Sequence, residues 1–191
     1  MSEQGKPTAL VVIDVQVAMM DDYPDDPSPF RKDEVLANIG AMLANARAAG
    51  SKVIFVRHVD TNYPAMRPGT PGFEVHPAIA PLDGETVIDK TACDSFCETE
   101  LEPILREAGV SHLVTCGMQT DFCVDSATRS AMHRGFNVTL ATDAHSTWDN
   151  GVLTADLIIA HHNKILPNLP GPGTDISGTL SAEIEFAPAG A

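Results

Sequence analysis

Short apolar runs alternate with longer amphipathic segments along this chain. Runs typical of buried β-strands lie at 9–15, 52–59, 86–90, 111–117 and 137–143. Segments with apolar residues at helical spacing lie at 33–50, 98–109, 121–135 and 154–166. The stretch 178–186 predicts one more strand at an edge of the sheet.

This alternation of strands and helices predicts an α/β fold. We expect a three-layer, doubly wound, mostly parallel sheet flanked by helices, because parallel strands need crossover helices that cover both faces. No internal repeat, low-complexity tract or linker divides the chain, so residues 1–191 are interpreted as a single domain. The loop at 60–84, rich in proline and glycine, is long enough to suggest a functional role that the sequence leaves open.

Charge and composition exclude several classes of partner. The chain has a formal net charge of −14 and a pI near 4.6, which argues against binding to nucleic acid or an anionic membrane. No segment reaches the roughly 20 apolar residues of a membrane span. The N-terminal residues do not resemble a secretory signal, so we expect a cytoplasmic protein. The acidic run 21–26 is interpreted as a solvated loop.

Cofactor and metal motifs are absent from the sequence. Neither a G-x-G-x-x-G nor a Walker motif occurs, so no nucleotide cofactor is predicted. The spacings within the two cysteine pairs, Cys93 with Cys97 and Cys116 with Cys123, do not match a C-x2-C zinc pair. Disulfides are not expected in a cytoplasmic chain. The cysteines are therefore predicted to be free thiols, which in most proteins are buried and inert.

Several chemically active residues follow the predicted strands directly. Asp14 ends the first strand, Lys90 ends the third, and Cys123 opens the helix after the fourth. Sites in open parallel sheets form outside the carboxyl ends of the strands, so these three side chains are predicted to reach one cleft.

This set of residue types suits nucleophilic catalysis. A helix N-terminus, with Asp121 as its predicted cap, lowers the pKa of a cysteine thiol and so favours the nucleophilic thiolate of Cys123. Asp14 is a candidate general base, and Lys90 is a candidate to hold that base ionised. Backbone N–H groups of the turn 117–123 are candidates to bind an oxyanion. Taken singly, each residue fits a structural role equally well, and the pattern alone leaves both interpretations open.

The combined motifs resemble a known family. The stretches "ALVVIDVQ" (9–16), 87–147 and "IIAHHN" (158–163) are together similar to the isochorismatase-like, or cysteine hydrolase, superfamily over residues 8–166. The segments "DSFCETEL" and "HHN" resemble its streptothricin hydrolase-like and other amidase members. The resemblance implies the parallel α/β fold, no cofactor, and a homo-oligomer that is a dimer or a tetramer.

The resemblance also assigns roles to individual residues. It implies that Cys123 is the nucleophile, Asp14 the general base and Lys90 the third member of a triad. It implies a cis peptide between Met118 and Gln119, with the N–H groups of Gln119 and Cys123 forming an oxyanion hole. The implied reaction is hydrolysis of a small-molecule amide through a thioester.

Other residues are weaker candidates for the same cleft. Gln16, Arg57 and Phe96 are predicted either to line a substrate pocket or to be structural. Trp148 is predicted to cover the site or an oligomer contact, and one of Cys93 and Cys97 could lie near the pocket.

Two alternative functions stay open. Nicotinamidases of the superfamily carry a D-x-H metal motif, but the matching strand end here reads "VRHVD" (56–60), so no metal is assigned. A metal-dependent, nicotinamidase-like hydrolase would have to use His58, Asp60 and His76. The second alternative is a non-catalytic binding protein built on the same fold.

Overall fold

The six strands of the protein pair in one parallel sheet. The computed structural model describes residues 6–22, 27–171 and 173–189, so part of the acidic run 21–26 lies outside the described residues. The spatial order is β3-β2-β1-β4-β5-β6, and all five pairings are parallel. The strands are β1 (Thr8–Ile13), β2 (Lys52–His58), β3 (Thr86–Lys90), β4 (His112–Met118), β5 (Asn137–Ser146) and β6 (Ile176–Thr179).

Helices cover both faces of this sheet, which confirms the predicted fold class. They are α1 (Val17–Met20), α2 (Lys32–Ala49), α3 (Leu101–Glu107), α4 (Asp125–His133) and α5 (Ala155–Ile165). In β1, Val11 packs with α3 and α4 on one face, whereas Leu10 and Val12 pack with α2 on the other. All six β1 residues are buried, because side chains alternate between two covered faces. No helix in the described ranges is both long and apolar enough to cross a bilayer.

Two predicted elements differ from the structure here, and one observed helix was not predicted. The final strand is Ile176–Thr179, not 178–186, and a 3₁₀ turn at Ser181–Glu183 packs against α2 instead. Helix α3 begins at Leu101, after Glu98, whose φ of 54° is incompatible with a right-handed helix. The short helix α1 was not predicted from the sequence.

The strand order creates a crevice beside β1. Strands β2 and β3 extend from one side of β1, and β4 to β6 extend from the other. At such a topological switch point the connections diverge, so the ends of β1 and β4 border a ligand crevice. Residues that follow β1 and β4 are therefore placed to face each other.

Gly117 lets the ends of β1 and β4 come close together. It pairs with Ile13 in the sheet and has a φ of +116°, in the region that favours glycine. A Cβ placed on Gly117 would lie 2.0 Å from the Ile13 carbonyl oxygen. The approach of the two strands thus requires a residue without a side chain at position 117.

Candidate active site

A buried ion pair forms the floor of the crevice. The Lys90 ammonium donates to Asp14 Oδ2 at 2.8 Å, and their side chains are 0% and 1% exposed. Asp14 follows β1 in a left-handed conformation, with a φ of 53°, and its N–H donates to the Val56 carbonyl. Lys90 ends β3, so the ion pair links the ends of two strands that lie on either side of β2.

The Lys90 ammonium has three nitrogen or oxygen acceptors among the described residues. Besides Asp14, it contacts His58 Nδ1 at 3.2 Å and donates to the Ala92 carbonyl at 3.0 Å. An ammonium carries three N–H groups, so its donor capacity is filled. Because Lys90 has no acceptor atom, His58 Nδ1 must accept, and the proton of the neutral His58 ring lies on Nε2. Sequence reasoning treated His58 only as a candidate metal ligand and missed this contact.

Cys123 lies directly above this pair. A carboxylate oxygen of Asp14, a ring nitrogen of His58 and the Cys123 sulfur all lie within 4.8 Å of one another. Asp14 Oδ1 is buried and has no hydrogen-bond partner among the described residues. Asp14, Lys90 and Cys123, predicted to meet at one cleft, are therefore brought together.

The turn that carries Cys123 is π-helical. Residues Thr120–Val124 form this turn, and α4 continues from Asp125, so the segment predicted as one helix has two parts. Asp121 is not a helix cap, in contrast to the prediction, because its Oδ1 accepts a hydrogen bond from Thr147 Oγ1 at 2.7 Å. The peptide bond between Met118 and Gln119, immediately before the turn, is cis.

A buried network supports this turn from behind. Thr120 Oγ1 lies 2.8 Å from His145 Nδ1, and His145 Nε2 lies 2.8 Å from Asn163 Oδ1. The Asn163 amide nitrogen donates to the Thr142 carbonyl, so Oδ1 is its acceptor and His145 Nε2 is the donor. Burial lowers the pKa of His145 to about 4, so the ring is neutral and Nδ1 accepts from Thr120. Asn163 is the last residue of the "IIAHHN" motif, and its hydrogen bonds to His145 and Thr142 give this motif residue a structural role.

Burial and charge shift the pKa values of the central pair. Burial raises the pKa of the Asp14 carboxyl, and attraction to the Lys90 ammonium offsets only part of that rise. Burial by itself lowers the pKa of Lys90, but the charge of the Asp14 carboxylate outweighs it and leaves that pKa raised. His58 has a lowered pKa, because burial and the Lys90 charge both disfavour its protonation. At neutral pH the site thus holds an ammonium and a neutral imidazole.

The thiol of Cys123 is protonated in the resting site. Burial raises its pKa, the Asp14 carboxylate raises it further, and Lys90 opposes both effects. The sequence-based expectation of a lowered thiol pKa at a helix N-terminus is therefore wrong, since Cys123 is buried beside a carboxylate. A base that accepts the proton during attack is then needed, and Asp14 lies within reach.

Alkylation against pH measures this protonation state. Iodoacetamide reacts with thiolates, so we expect Cys123 to be labelled more slowly at pH 7.5 than the exposed Cys93 and Cys97. Below the raised pKa the thiolate fraction grows about tenfold per pH unit, so the labelling rate should climb steadily from pH 7 to pH 9. Peptide mass spectrometry resolves the sites. A plateau of fast labelling of Cys123 near pH 7 would contradict the raised pKa.

A cavity of about 410 Å³ opens above Cys123. Its polar lining comes from Asp14, His58, Asp60, Gln119 and Cys123, and its other lining from Ala18, Met19, Tyr63, Met66, Cys93, Phe122 and Trp148. The 60–84 loop contributes three of these side chains, Asp60, Tyr63 and Met66, which gives it a place in the candidate site. Trp148 and Cys93 also line the cavity, as two of the weaker predictions allowed.

Three candidate pocket residues lie elsewhere, which corrects the expectation that they line it. The Gln16 amide is buried and binds the backbone of His58 and Phe73. Arg57 pairs with acidic side chains and stacks over the Phe73 ring. Phe96 packs against Phe136 in the core. Strand-end position placed these residues near the site but did not show which way their side chains point.

The predicted metal alternative lacks its third ligand. His58 and Asp60 both line the cavity, but His76 accepts from the Ala78 N–H and lies 3.3 Å from Asp21, outside it. The set Asp14, His58 and Cys123 has suitable spacing for an ion. However, the Lys90 ammonium already contacts Asp14 Oδ2 and His58 Nδ1, and its charge would repel a metal ion there.

Comparison with known proteins assigns the family. The model of the isochorismatase domain family matches residues 8–155. This chain belongs to the isochorismatase family. Among its family relatives, streptothricin hydrolase of Streptomyces noursei is 38% identical over 141 residues, which cover 74% of this chain and 55% of that protein. The chain thus spans about half the length of that relative.

Two more proteins extend the comparison of this isochorismatase-family chain. Ureidoacrylate amidohydrolase RutB of Variovorax paradoxus is 29% identical over 170 residues, covering 72% of this chain and 68% of that protein. A cysteine hydrolase from Pseudomonas syringae pv. phaseolicola has a solved structure that superposes with a TM-score of 0.79 at 25% identity. That superposition covers 92% of this chain and 89% of the other.

Proposed function

We propose that this protein hydrolyses a small-molecule amide through a thioester on Cys123. The observation that carries the proposal is the Cys123 thiol at the floor of a cavity, above a fully buried Asp14–Lys90 pair. A buried ion pair seldom adds net stability, so its position beneath a thiol favours a chemical role. The names of the relatives, which include an amidohydrolase and a cysteine hydrolase, support the same reaction class.

In the first half of the reaction, Cys123 attacks the amide carbonyl carbon. The thiol proton passes to the Asp14 carboxylate as the C–S bond forms, which removes the need for a stable resting thiolate. The C–N bond then breaks, and the leaving nitrogen takes the proton from Asp14. Ammonia or an amine leaves, and the acyl group remains on sulfur as a thioester.

In the second half, water resolves the thioester. Asp14 accepts a proton from water as the oxygen attacks the same carbonyl carbon, and the C–S bond breaks with return of a proton to Cys123. Lys90 keeps its charge throughout, since its pKa is raised, and thereby keeps the Asp14 carboxylate available as a base. His58 accepts one Lys90 N–H and fixes the ammonium in place.

An oxyanion forms on the substrate in both halves. We assign its stabilisation to the N–H groups of Gln119, just before the turn Thr120–Val124, and of Cys123, within it. Gln119 and Cys123 both line the cavity, as this role requires. Assembly into a dimer or tetramer stays a prediction from the family resemblance.

Ammonia release tests this function against its two alternatives. The purified protein is incubated with a panel of small amides, before and after dialysis against a chelator. We expect turnover of at least one amide at a rate that the chelator does not change. Loss of turnover with the chelator and its return with Zn²⁺ or Fe²⁺ would favour the metal-dependent hydrolase. Saturable binding of panel amides with no turnover would favour the binding protein.

A further inference from the structure

Among the described residues, none that lines the cavity offers a positive charge to an anionic substrate. All twelve Lys and Arg residues lie within the described ranges, and none of them lines the cavity. Lys90 lies beneath the floor, but its three N–H groups are already bound to Asp14, His58 and the Ala92 carbonyl. A substrate carboxylate in this cavity would lose its hydration without gaining a counter-charge, which is strongly unfavourable.

The wall of the cavity instead carries a negative charge at Asp60. This residue lies two positions beyond β2, and its Oδ1 accepts from the N–H groups of Asn62 and Tyr63 at 2.8 and 3.3 Å. These two bonds fix the carboxylate on the loop at the cavity wall. Asp60 and His58 line the same cavity, so the Asp60 carboxylate lies near the catalytic end of it.

Aromatic side chains form much of the remaining lining. Tyr63, Phe122 and Trp148 all contribute to it, and the Trp148 indole is held by a hydrogen bond from Nε1 to the Pro27 carbonyl at 2.6 Å. Aromatic faces attract cations, and the attraction is strongest for tryptophan. A fixed carboxylate together with aromatic walls is a combination suited to an organic cation.

We infer that the substrate is a cationic amide, with an ammonium or guanidinium group that pairs with Asp60. This inference rests on the proposed function, because it takes Cys123 as the point where the amide carbonyl binds. Asp60 is then the residue that determines specificity for charge. The net charge of −14 attracts cations to the whole molecule, so the test has to separate this general field from the Asp60 contact.

Protection of Cys123 from alkylation measures binding without requiring turnover. The probes are 6-aminohexanamide, hexanamide and the monoamide of adipic acid, which share one carbon skeleton and carry positive, zero and negative charge. Each is titrated against iodoacetamide labelling of Cys123 at one ionic strength. We expect the cationic amide to protect at concentrations at least about tenfold lower than hexanamide does, and the anionic amide to protect least.

The variant Asp60→Asn removes the charge but keeps the side-chain oxygen that holds the loop. We expect it to bring the cationic probe to within about twofold of hexanamide when both are measured on that variant. The matched control is Asp175→Asn. Asp175 is exposed and precedes the amino end of β6, whereas Asp60 follows the carboxyl end of β2. That variant loses the same charge and should keep the full preference.

Three outcomes of the probe titration would overturn the inference. They are equal protection by the charged and neutral probes, stronger protection by the anionic probe, and no protection by any of them. A preference that Asp175→Asn reduces as much as Asp60→Asn would also overturn it, by assigning the effect to net charge. The proposed function fails separately, if Cys123 is protected by the probes but no amide is ever hydrolysed.

Discussion

Replacement of Cys123 by alanine is expected to lower kcat for amide hydrolysis by at least about 10⁴-fold, because it removes the covalent route. The protein should stay folded, since the change removes one sulfur from a site that borders an open cavity and costs on the order of 1 kcal/mol. Variants of Asp14 or Lys90 are less informative. Removing either partner leaves the other charge buried and unpaired, at about 3–5 kcal/mol, so lost activity and lost stability would coincide.

Cys116→Ala is the matched control for this experiment. Cys116 lies in β4, is fully buried, and donates only a long contact to the Val11 carbonyl. The same atoms are removed, but outside the cavity, so we expect kcat to stay within about twofold of the parent. Measurement of kcat and of the unfolding midpoint for both variants separates chemistry from folding. Parental turnover in Cys123→Ala would reject the nucleophile.

Replacement of Gly117 by alanine is expected to destabilise the protein by at least about 3 kcal/mol, or to prevent folding. The new Cβ would lie 2.0 Å from the Ile13 carbonyl oxygen, within backbone that cannot move without breaking the β1–β4 pairing. The positive φ adds strain of about 1–2 kcal/mol. Because Asp14 directly follows Ile13, any protein that does fold should also show a displaced base and a reduced kcat.

Gly135→Ala isolates the strain from the collision. Gly135 follows α4 with a φ of +88°, and a Cβ there would meet no atom within 4 Å. This variant should lose only the 1–2 kcal/mol of backbone strain, as measured by urea denaturation of both proteins. If the two variants lost equal stability, the close approach of the strands would not be the reason for glycine at position 117.

The central strands were predictable because burial leaves a simple pattern in the sequence. A strand covered on both faces, such as β1, is a continuous apolar run, and its end is marked by the first charged residue. The edge strand β6 has only one buried residue in four, so no run marks it, and the prediction of 178–186 failed. The prediction that α3 begins at residue 98 was wrong, because Glu98 has a left-handed backbone conformation that a right-handed helix cannot contain.

The convergence of Asp14, Lys90 and Cys123 was predictable from topology, since residues at the carboxyl ends of adjacent parallel strands share one edge. The directions in which side chains point and the effects of burial on pKa values were not predictable from the sequence. Gln16 and Arg57 lie at the correct edge but bind backbone and surface charges. Likewise, the pKa of Cys123 depends on its burial beside a carboxylate, which no local sequence pattern reports.

Intact-protein and peptide mass spectrometry of the protein, quenched in acid during incubation with an amide that it hydrolyses, is the most direct test of the thioester. We expect an added mass equal to the acyl part of the amide, located at Cys123 in tryptic peptide 107–129. Peptide 91–106, which contains the second cavity thiol, Cys93, should be unmodified. An acyl group on Cys93 would contradict a thioester at Cys123. Amide turnover by the Cys123→Ala variant, which has no sulfur at that position to carry the acyl group, would contradict it as well.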